Sequence, residues 1–253
     1  MKFNKNGYLS LVTLLLVVAM LFTACAPAEN ADTPETEEPM ATEEPADDGD
    51  GAADGDGPAI GIVLPTRDEP RWIQDEERFR SALDDVGYEA EILFSQGSSA
   101  QERSNVESLI SQGVEVIIIT PHDATAAAAA AQTAEEAGVD IISYDRLILD
   151  TEAVDYYVTF DSVEVGRAMG EYLVANADGE NNPLYLYAGA PSDNNSFLFF
   201  RGAWQVLQPA IADGVFNIVN SSEARDLADQ QELTREQEAA IIGQITTNWD
   251  FND

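Results

Sequence analysis

One cysteine, one histidine and 12 basic residues are all that this 253-residue chain holds of those three groups. A lone cysteine, Cys25, can close no internal disulfide, so the fold must stand on its own core. A lone histidine, His122, excludes a multi-histidine metal site. Lys and Arg are outnumbered by 47 Asp and Glu, giving a net charge of -35. Nucleic-acid binding needs cations to neutralise phosphates and is excluded by that balance. Binding to anionic lipid head groups is disfavoured for the same reason. No glycine-rich phosphate loop follows the first apolar run, where Pro65-Thr66-Arg67-Asp68 stands instead. No metal and no cofactor is expected. The longest early apolar stretch, Leu9 to Leu21, falls short of the ~20 residues a bilayer core requires.

That short stretch has another reading. Lys2 and Lys5 precede it and small residues follow, which is the order of a secretory signal. Leu21-Phe22-Thr23-Ala24-Cys25 resembles a bacterial lipobox, in which the cysteine is lipidated and becomes the mature N-terminus. Residues 1–25 are therefore expected to be a lipoprotein signal, with Cys25 as the anchor of an exported protein. Residues 26–57 carry acids from Glu29 to Asp56 without one Lys or Arg, among Thr, Pro, Ala and Gly. Such a segment buries too little apolar surface to offset its ordering entropy, which predicts a disordered acidic spacer. Its contour limit is on the order of 100 Å.

From Ala59 the pattern alternates short apolar runs with helical periodicity. The runs are Ala59–Leu64, Glu89–Phe94, Val116–Ile119, Ile141–Tyr144 and Tyr156–Phe160. Between them, Trp72, Phe79, Leu83 and Val86 recur at helical spacing before Gly87. Ser99 with Glu102 reads as a capping box, and Ala124–Ala137 as an alanine-rich helix able to lie close to a sheet. After Asp161 the unit begins again. Val163, Ala168, Met169, Tyr172 and Leu173 mark a helix, Leu184–Ala188 a strand, Phe197–Leu207 a helix and Val215–Val219 a strand. Repeated βαβ order predicts an α/β fold of two lobes, 58–161 and 162–253, each a parallel sheet flanked by helices. In such sheets a ligand lies beyond the carboxyl ends of the strands.

The residues just past those strand ends are Arg71-Trp72, Pro121-His122-Asp123, Asp145-Arg146 and Pro191-Ser192-Asp193-Asn194-Asn195. Gathered in one cleft they supply an aromatic plane, two guanidinium forks, carboxylate acceptors and amides that both donate and accept. A carbohydrate suits that inventory, because each hydroxyl donates and accepts while the C–H face packs on a ring.

The stretches Arg71-Trp72-Ile73, Ser143-Tyr144-Asp145-Arg146-Leu147-Ile148, Val158-Thr159-Phe160-Asp161 and Ala190-Pro191-Ser192-Asp193-Asn194-Asn195 resemble the xylose-type, multiple-sugar branch of bacterial substrate-binding proteins. The resemblance runs from about Ala59 to Val219. It implies the two-lobed, type 1 periplasmic-binding fold and capture of a monosaccharide, a xylose-like pentose or a hexose, between the lobes. It also implies an ABC-transporter permease as partner, or a chemoreceptor or sensor kinase, and a monomeric protein. Carried over residue by residue, it makes Arg71, Trp72, Asp145, Arg146, Asp193, Asn194 and Asn195 ligand contacts. Trp249 resembles a second-lobe tryptophan of the family, and His122 and Asp123 fall where the family varies. The later second-lobe segments of the family have no counterpart before Asp253, so an incomplete second sheet with exposed apolar faces is expected.

Plainer roles exist for these residues. Arg71 could pair with Asp68 or Asp75, Trp72 could sit in the core, and Asp145-Arg146 could form an internal ion pair. Asp193 and Asn195 could cap a helix, His122 could be a loop residue, and Phe197, Phe199 and Phe200 could be core. A glycoside hydrolase using Asp145 and Asp193 is the rival function. Basic or hydrogen-bonding neighbours at both acids favour constant ionisation and argue against a poised acid. A sugar-responsive repressor would carry a DNA-binding head where this chain has an export signal, and a non-functional fragment is the remaining alternative. If Arg146 serves only ligand, its loss should leave the unliganded fold unharmed.

Overall fold

Strand β1, Ile60–Leu64, is buried at every position, as a strand covered on both faces must be. In the computed structural model, which describes residues 59–250, it is flanked by β2 (Ala90–Phe94) and β3 (Val116–Ile119). Beyond them lie β4 (Asp140–Tyr144) and β5 (Tyr156–Val158), giving a parallel sheet in the order β2-β1-β3-β4-β5. Helix α1 (Pro70–Asp84) covers one face, where Trp72, Phe79 and Leu83 meet Ile60, Ile62, Leu64, Ile92 and Phe94. Helices α2 (Ser99–Ser111) and α3 (Ala128–Glu136) cover the other, around Val63, Val106, Leu109, Ile117, Ile119 and Ile141. Gly61 allows that second layer to close: a Cβ there would lie 2.8 Å from Leu109 Cδ1. The alanine-rich helix does lie close, with Ala127, Ala130, Ala131 and Ala134 all buried.

Two helix starts differ from expectation. α2 is capped by Ser98, whose hydroxyl accepts from the Gln101 N–H, and Glu102 is buried instead of closing a capping box. α3 begins at Ala128, not Ala124, because Asp123 Oδ1 accepts from the N–H groups of Thr125 and Ala126 and holds the segment as a turn.

Asp161 caps α4 (Ser162–Ala175) and opens the second lobe. There β6 (Asn182–Leu184) and β7 (Phe216–Ile218) form a two-stranded parallel sheet, extended by a bridge between Ala188 and Thr246. Helix α5 (Asn194–Ala212), the short α6 (Ser222–Asp226) and α7 (Arg235–Ile245) pack on it through Phe197, Phe200, Trp204, Leu207, Ile218, Ile241 and Ile242. The helix marked by Val163, Ala168, Met169, Tyr172 and Leu173 is present, but most of that apolar stripe is not its buried face. Met169, Tyr172 and Leu173 are exposed, Tyr172 by 70%, together with Tyr185 and Tyr187. The buried face is Ser162, Gly166 and Gly170, which presses backbone to backbone on α5. An incomplete second sheet with exposed apolar side chains is thus what the described residues present. Among them no helix is long and apolar enough to cross a membrane. Cys25, the signal segment and the acidic spacer lie outside the described residues.

Candidate functional site

Strand β4 delivers Asp145 and Arg146 to the lobe junction with a sharp backbone break. Asp145 sits at φ +63°, a left-handed conformation that Asp tolerates better than most residues. Three donors fix it there: Tyr157 Oη, Thr159 Oγ1 and Asn195 Nδ2 all reach the Asp145 carbonyl, at 3.1, 3.0 and 3.1 Å. The turn sends the two side chains apart. Asp145 Oδ1 lies 3.1 Å from Arg71 Nη2 on α1, while Arg146 Nε lies 3.0 Å from Asp193 Oδ2 on the second lobe.

Asp193 caps α5, accepting the Asn195 N–H at 2.9 Å, and it also accepts from Trp249 Nε1 at 3.2 Å. Arg146 further faces Glu69 Oε1 at 3.6 Å and lies 5.1 Å from the Trp72 ring centre; Arg71 lies 4.6 Å from it. Trp72 is only 1% exposed and belongs to the core under α1, so it acts as a base for two guanidinium groups more than as an open platform. The two inter-residue ion pairs are close but poorly aimed: Asp145 Oδ1 and Arg146 Nε are buried without a directed hydrogen-bond partner.

Burial sets the electrostatics. It raises the Asp145 carboxyl above its ordinary range although Arg71 opposes it, and does the same for Asp193 against Arg146 and the Asn195 N–H. Glu69 is raised likewise, burial outweighing Arg146. The expectation that basic and hydrogen-bonding neighbours keep these carboxyls from being raised is therefore corrected: those neighbours do not fully offset desolvation. Arg71 is raised: burial would lower it, but Asp145 and Asp75 hold its charge.

A cavity of about 730 Å³ opens here, lined by Thr66, Asp68, Glu69, His122, Arg146, Ser192, Asn248 and Trp249 among others. A smaller one of about 180 Å³ adjoins it through Glu69, Arg146 and Trp249 and reaches Arg71, Asp145, Phe160, Asp193, Asn195 and Phe199. A third, of about 220 Å³, lies within the second lobe among Met169, Leu186, Phe200 and Trp204; its lining has no charged group and suits packing, not a polyol.

Arg71, Trp72, Asp145, Arg146, Asp193, Asn195 and Trp249 are thus brought together, with His122 on the larger cavity. Asn194 is not. Its side-chain oxygen faces Arg235 of α7 at 3.5 Å, because the first helical turn points successive residues in different directions. Asn195 is committed to both lobes, donating to the Asp145 carbonyl and accepting from Ser162 Oγ at 3.2 Å. Asp123 caps its own turn. Sequence reasoning missed Glu69, which sits just before Pro70 and has no periodicity to mark it. It also missed the Phe160–Phe199 pair, stacked at 6.2 Å across the lobe junction. Among the described residues no group of three or more His, Cys, Asp or Glu is placed to hold a metal ion.

The comparisons agree with this geometry. The multiple sugar-binding periplasmic protein SbpA of Azospirillum brasilense is 33% identical over 66% of this chain and 48% of its own length. The D-xylose-binding periplasmic protein of Escherichia coli is 29% identical over 63% of this chain and 48% of its own. The chain spans about half the length of these curated relatives. A carbohydrate transporter solute binding protein from Chloroflexus aurantiacus, solved in complex with D-glucose, is 68% identical with a TM-score of 0.75, covering 76% of this chain and 57% of that one. The periplasmic binding protein domain model matches residues 60–250. With its parallel sheets and strand-end cleft, this chain belongs to the periplasmic binding protein domain family.

Proposed function

We propose that this chain is the sugar-capturing part of an extracytoplasmic solute-binding protein, holding a monosaccharide between its lobes for an ABC importer. The observation that carries the reading is the strand-end cluster itself. Asp145 Oδ1 and Arg146 Nε are buried at the lobe junction without directed partners, beside Arg71, Glu69 and Asp193. Leaving such groups poorly matched costs on the order of 1–3 kcal/mol each, and the hydroxyls of a neutral sugar can donate and accept at once, while its ring oxygen can accept. The 68%-identical solved relative was determined with D-glucose, which makes an aldohexose the first ligand to try, ahead of D-xylose.

Binding without turnover follows from the same arrangement. Asp145 and Asp193 are each tied to a guanidinium, and Asp193 is also a helix cap, so neither is free to shuttle a proton. Their raised carboxyls are the feature a hydrolase reading would use, and one assay separates the two. Calorimetry against a panel of pentoses and hexoses, with product analysis on matching glycosides, should give heats of binding and no released sugar. Asp145- or Asp193-dependent release from a glycoside would overturn the proposal. The anchor reading rests on the lipobox-like sequence alone: Cys25→Ser should shift the protein from the membrane fraction, and an unmodified, fully soluble wild type refutes it. A monomer that docks to a permease completes the proposal.

A further inference from the structure

The cleft has one wall whose support lies out of sight of any ligand. Glu102, on α2, is 1% exposed, and its Oε2 accepts the His122 backbone N–H at 2.7 Å. His122 lines the larger cavity. The same turn touches the second lobe, where Ala124 N–H donates to the Ser192 carbonyl at 2.9 Å. One buried carboxyl thus holds the segment that forms the cleft wall and carries a contact between the lobes.

The other oxygen, Oε1, has no directed partner, and neither do the buried Ser95 Oγ, Asn105 Nδ2 and Thr120 Oγ1. Ser95 follows β2, Thr120 follows β3, and Asn105 is one turn along α2, so the carboxyl sits where three elements meet.

We propose that Glu102 is a positioning residue of the cleft: its carboxylate fixes the His122 turn through the backbone N–H, and protonation loosens that turn and weakens ligand binding. The inference rests on the sugar-binding reading for its ligand, though not for its effect on the turn. An ionised acceptor makes the stronger hydrogen bond, so the turn is held most firmly when the carboxyl is charged. The charged and titratable groups facing it are Asp123 and His122 on the turn and Arg146 after β4. Burial dominates and pushes the carboxyl up to about 7; the His122 N–H opposes this, Asp123 reinforces it, and Arg146 opposes it. Its proton is therefore exchanged in the neutral range. The His122 ring is itself lowered, by burial and then by Arg146, and its charge change must be separated from that of Glu102.

Two measurements on the full chain do so. In the ligand-free protein, the His122 backbone amide resonance is followed from about pH 5.5 to about pH 8.5 in wild type and in Glu102→Gln. In parallel, the Kd for D-glucose is measured at both ends of that range. We expect a component of the amide titration near neutrality that Glu102→Gln removes. We also expect roughly threefold weaker glucose binding at the acid end, again absent from the variant, as half a unit of linked pKa change gives. An amide titration identical in both proteins overturns the role of Glu102. Glucose affinity that is flat with pH, alongside a Glu102-dependent amide titration, overturns the coupling to the cleft. No glucose binding at any pH refutes the affinity half together with the hexose reading, while the amide still judges Glu102 by itself.

Discussion

Replacing Arg146 by Ala tests whether the lobe junction is held by a buried charge pair. Arg146 is 5% exposed and Asp193 2%, and they approach to 3.0 Å across the two lobes. Removing one partner of a buried pair costs about 3–5 kcal/mol, because the other is left charged in a poor solvent. Here Asp193 keeps two donors, the Asn195 N–H and Trp249 Nε1, so the cost should fall at the lower end, about 3 kcal/mol. Asp193→Asn retains a competent cap and should cost less, about 1 kcal/mol. If the pair is real, the double variant will be less damaged than the sum of the singles by about 1–3 kcal/mol. The sign with pH is also fixed. Asp193 has a folded pKa above its unfolded value, so its contribution is most favourable when protonated and is lost as pH rises through the folded pKa. Losing Arg146 raises that pKa further, and the deficit of Arg146→Ala should shrink on acidification. Urea unfolding followed by fluorescence and circular dichroism, at neutral and acid pH, reads all three quantities provided the two probes coincide. Single costs that simply add, or an Arg146→Ala protein as stable as wild type, would refute the reasoning.

Three further outcomes are expected. Glu102→Gln should stabilise the protein above about pH 7, because burial raises the carboxyl from 4.5 to about 7 and ionising it in the fold costs up to about 3 kcal/mol at ~1.4 kcal/mol per unit; thermal melts from about pH 5 to about pH 8.5 should show wild type losing stability with rising pH more steeply than the variant. Gly202→Ala should destabilise by about 3 kcal/mol or more, since its Cβ would overlap the Val163 carbonyl where α5 meets α4, and a melt unchanged by the substitution would show that the helices are not packed backbone to backbone. Arg201→Met should cost about 3 kcal/mol by stripping a two-pronged partner, with both bonds at 2.8 Å, from the buried Glu238 on α7, and Glu238→Leu in the same background should recover part of it in urea titrations.

The first lobe was legible because its strands announce themselves twice. Val116-Ile117-Ile118-Ile119 is apolar without alternation, as burial on both faces requires, and Gly87, Gly113 and Gly138 end the helices in left-handed turns. Helix starts were less legible, because a side chain able to cap does not declare where it will point. Glu102 has the right spacing for a capping box, yet the chain twenty residues later supplies the His122 N–H, and a long-range bond displaced the local one. Packing in the second lobe is less legible for a related reason. Periodicity on α4 identifies an apolar stripe of Met169, Tyr172 and Leu173, but the partner of a stripe is a tertiary fact. In the described residues the helix is drawn to α5 by its glycine face instead, where close backbone approach outweighs side-chain burial.

At the site, residue types were readable and their mutual commitments were not. The motifs placed Arg71, Asp145, Arg146, Asp193 and Asn195 at strand ends, and the strand-end rule was enough to gather them. What it could not supply was that Asp145 turns left-handed, so that adjacent residues in sequence serve different lobes: Asp145 faces α1 of the first lobe, and Arg146 reaches the α5 cap of the second. That single backbone conformation makes Arg146 both a candidate ligand donor and a structural bond between lobes. Its loss therefore cannot be silent in the unliganded protein, against the expectation that a residue serving ligand leaves stability untouched. Affinity measurements on Arg146 variants must accordingly be read beside their unfolding curves. A drop in sugar binding no larger than the loss of inter-lobe stability would assign the residue to the frame of the cleft, and only the excess would belong to the sugar.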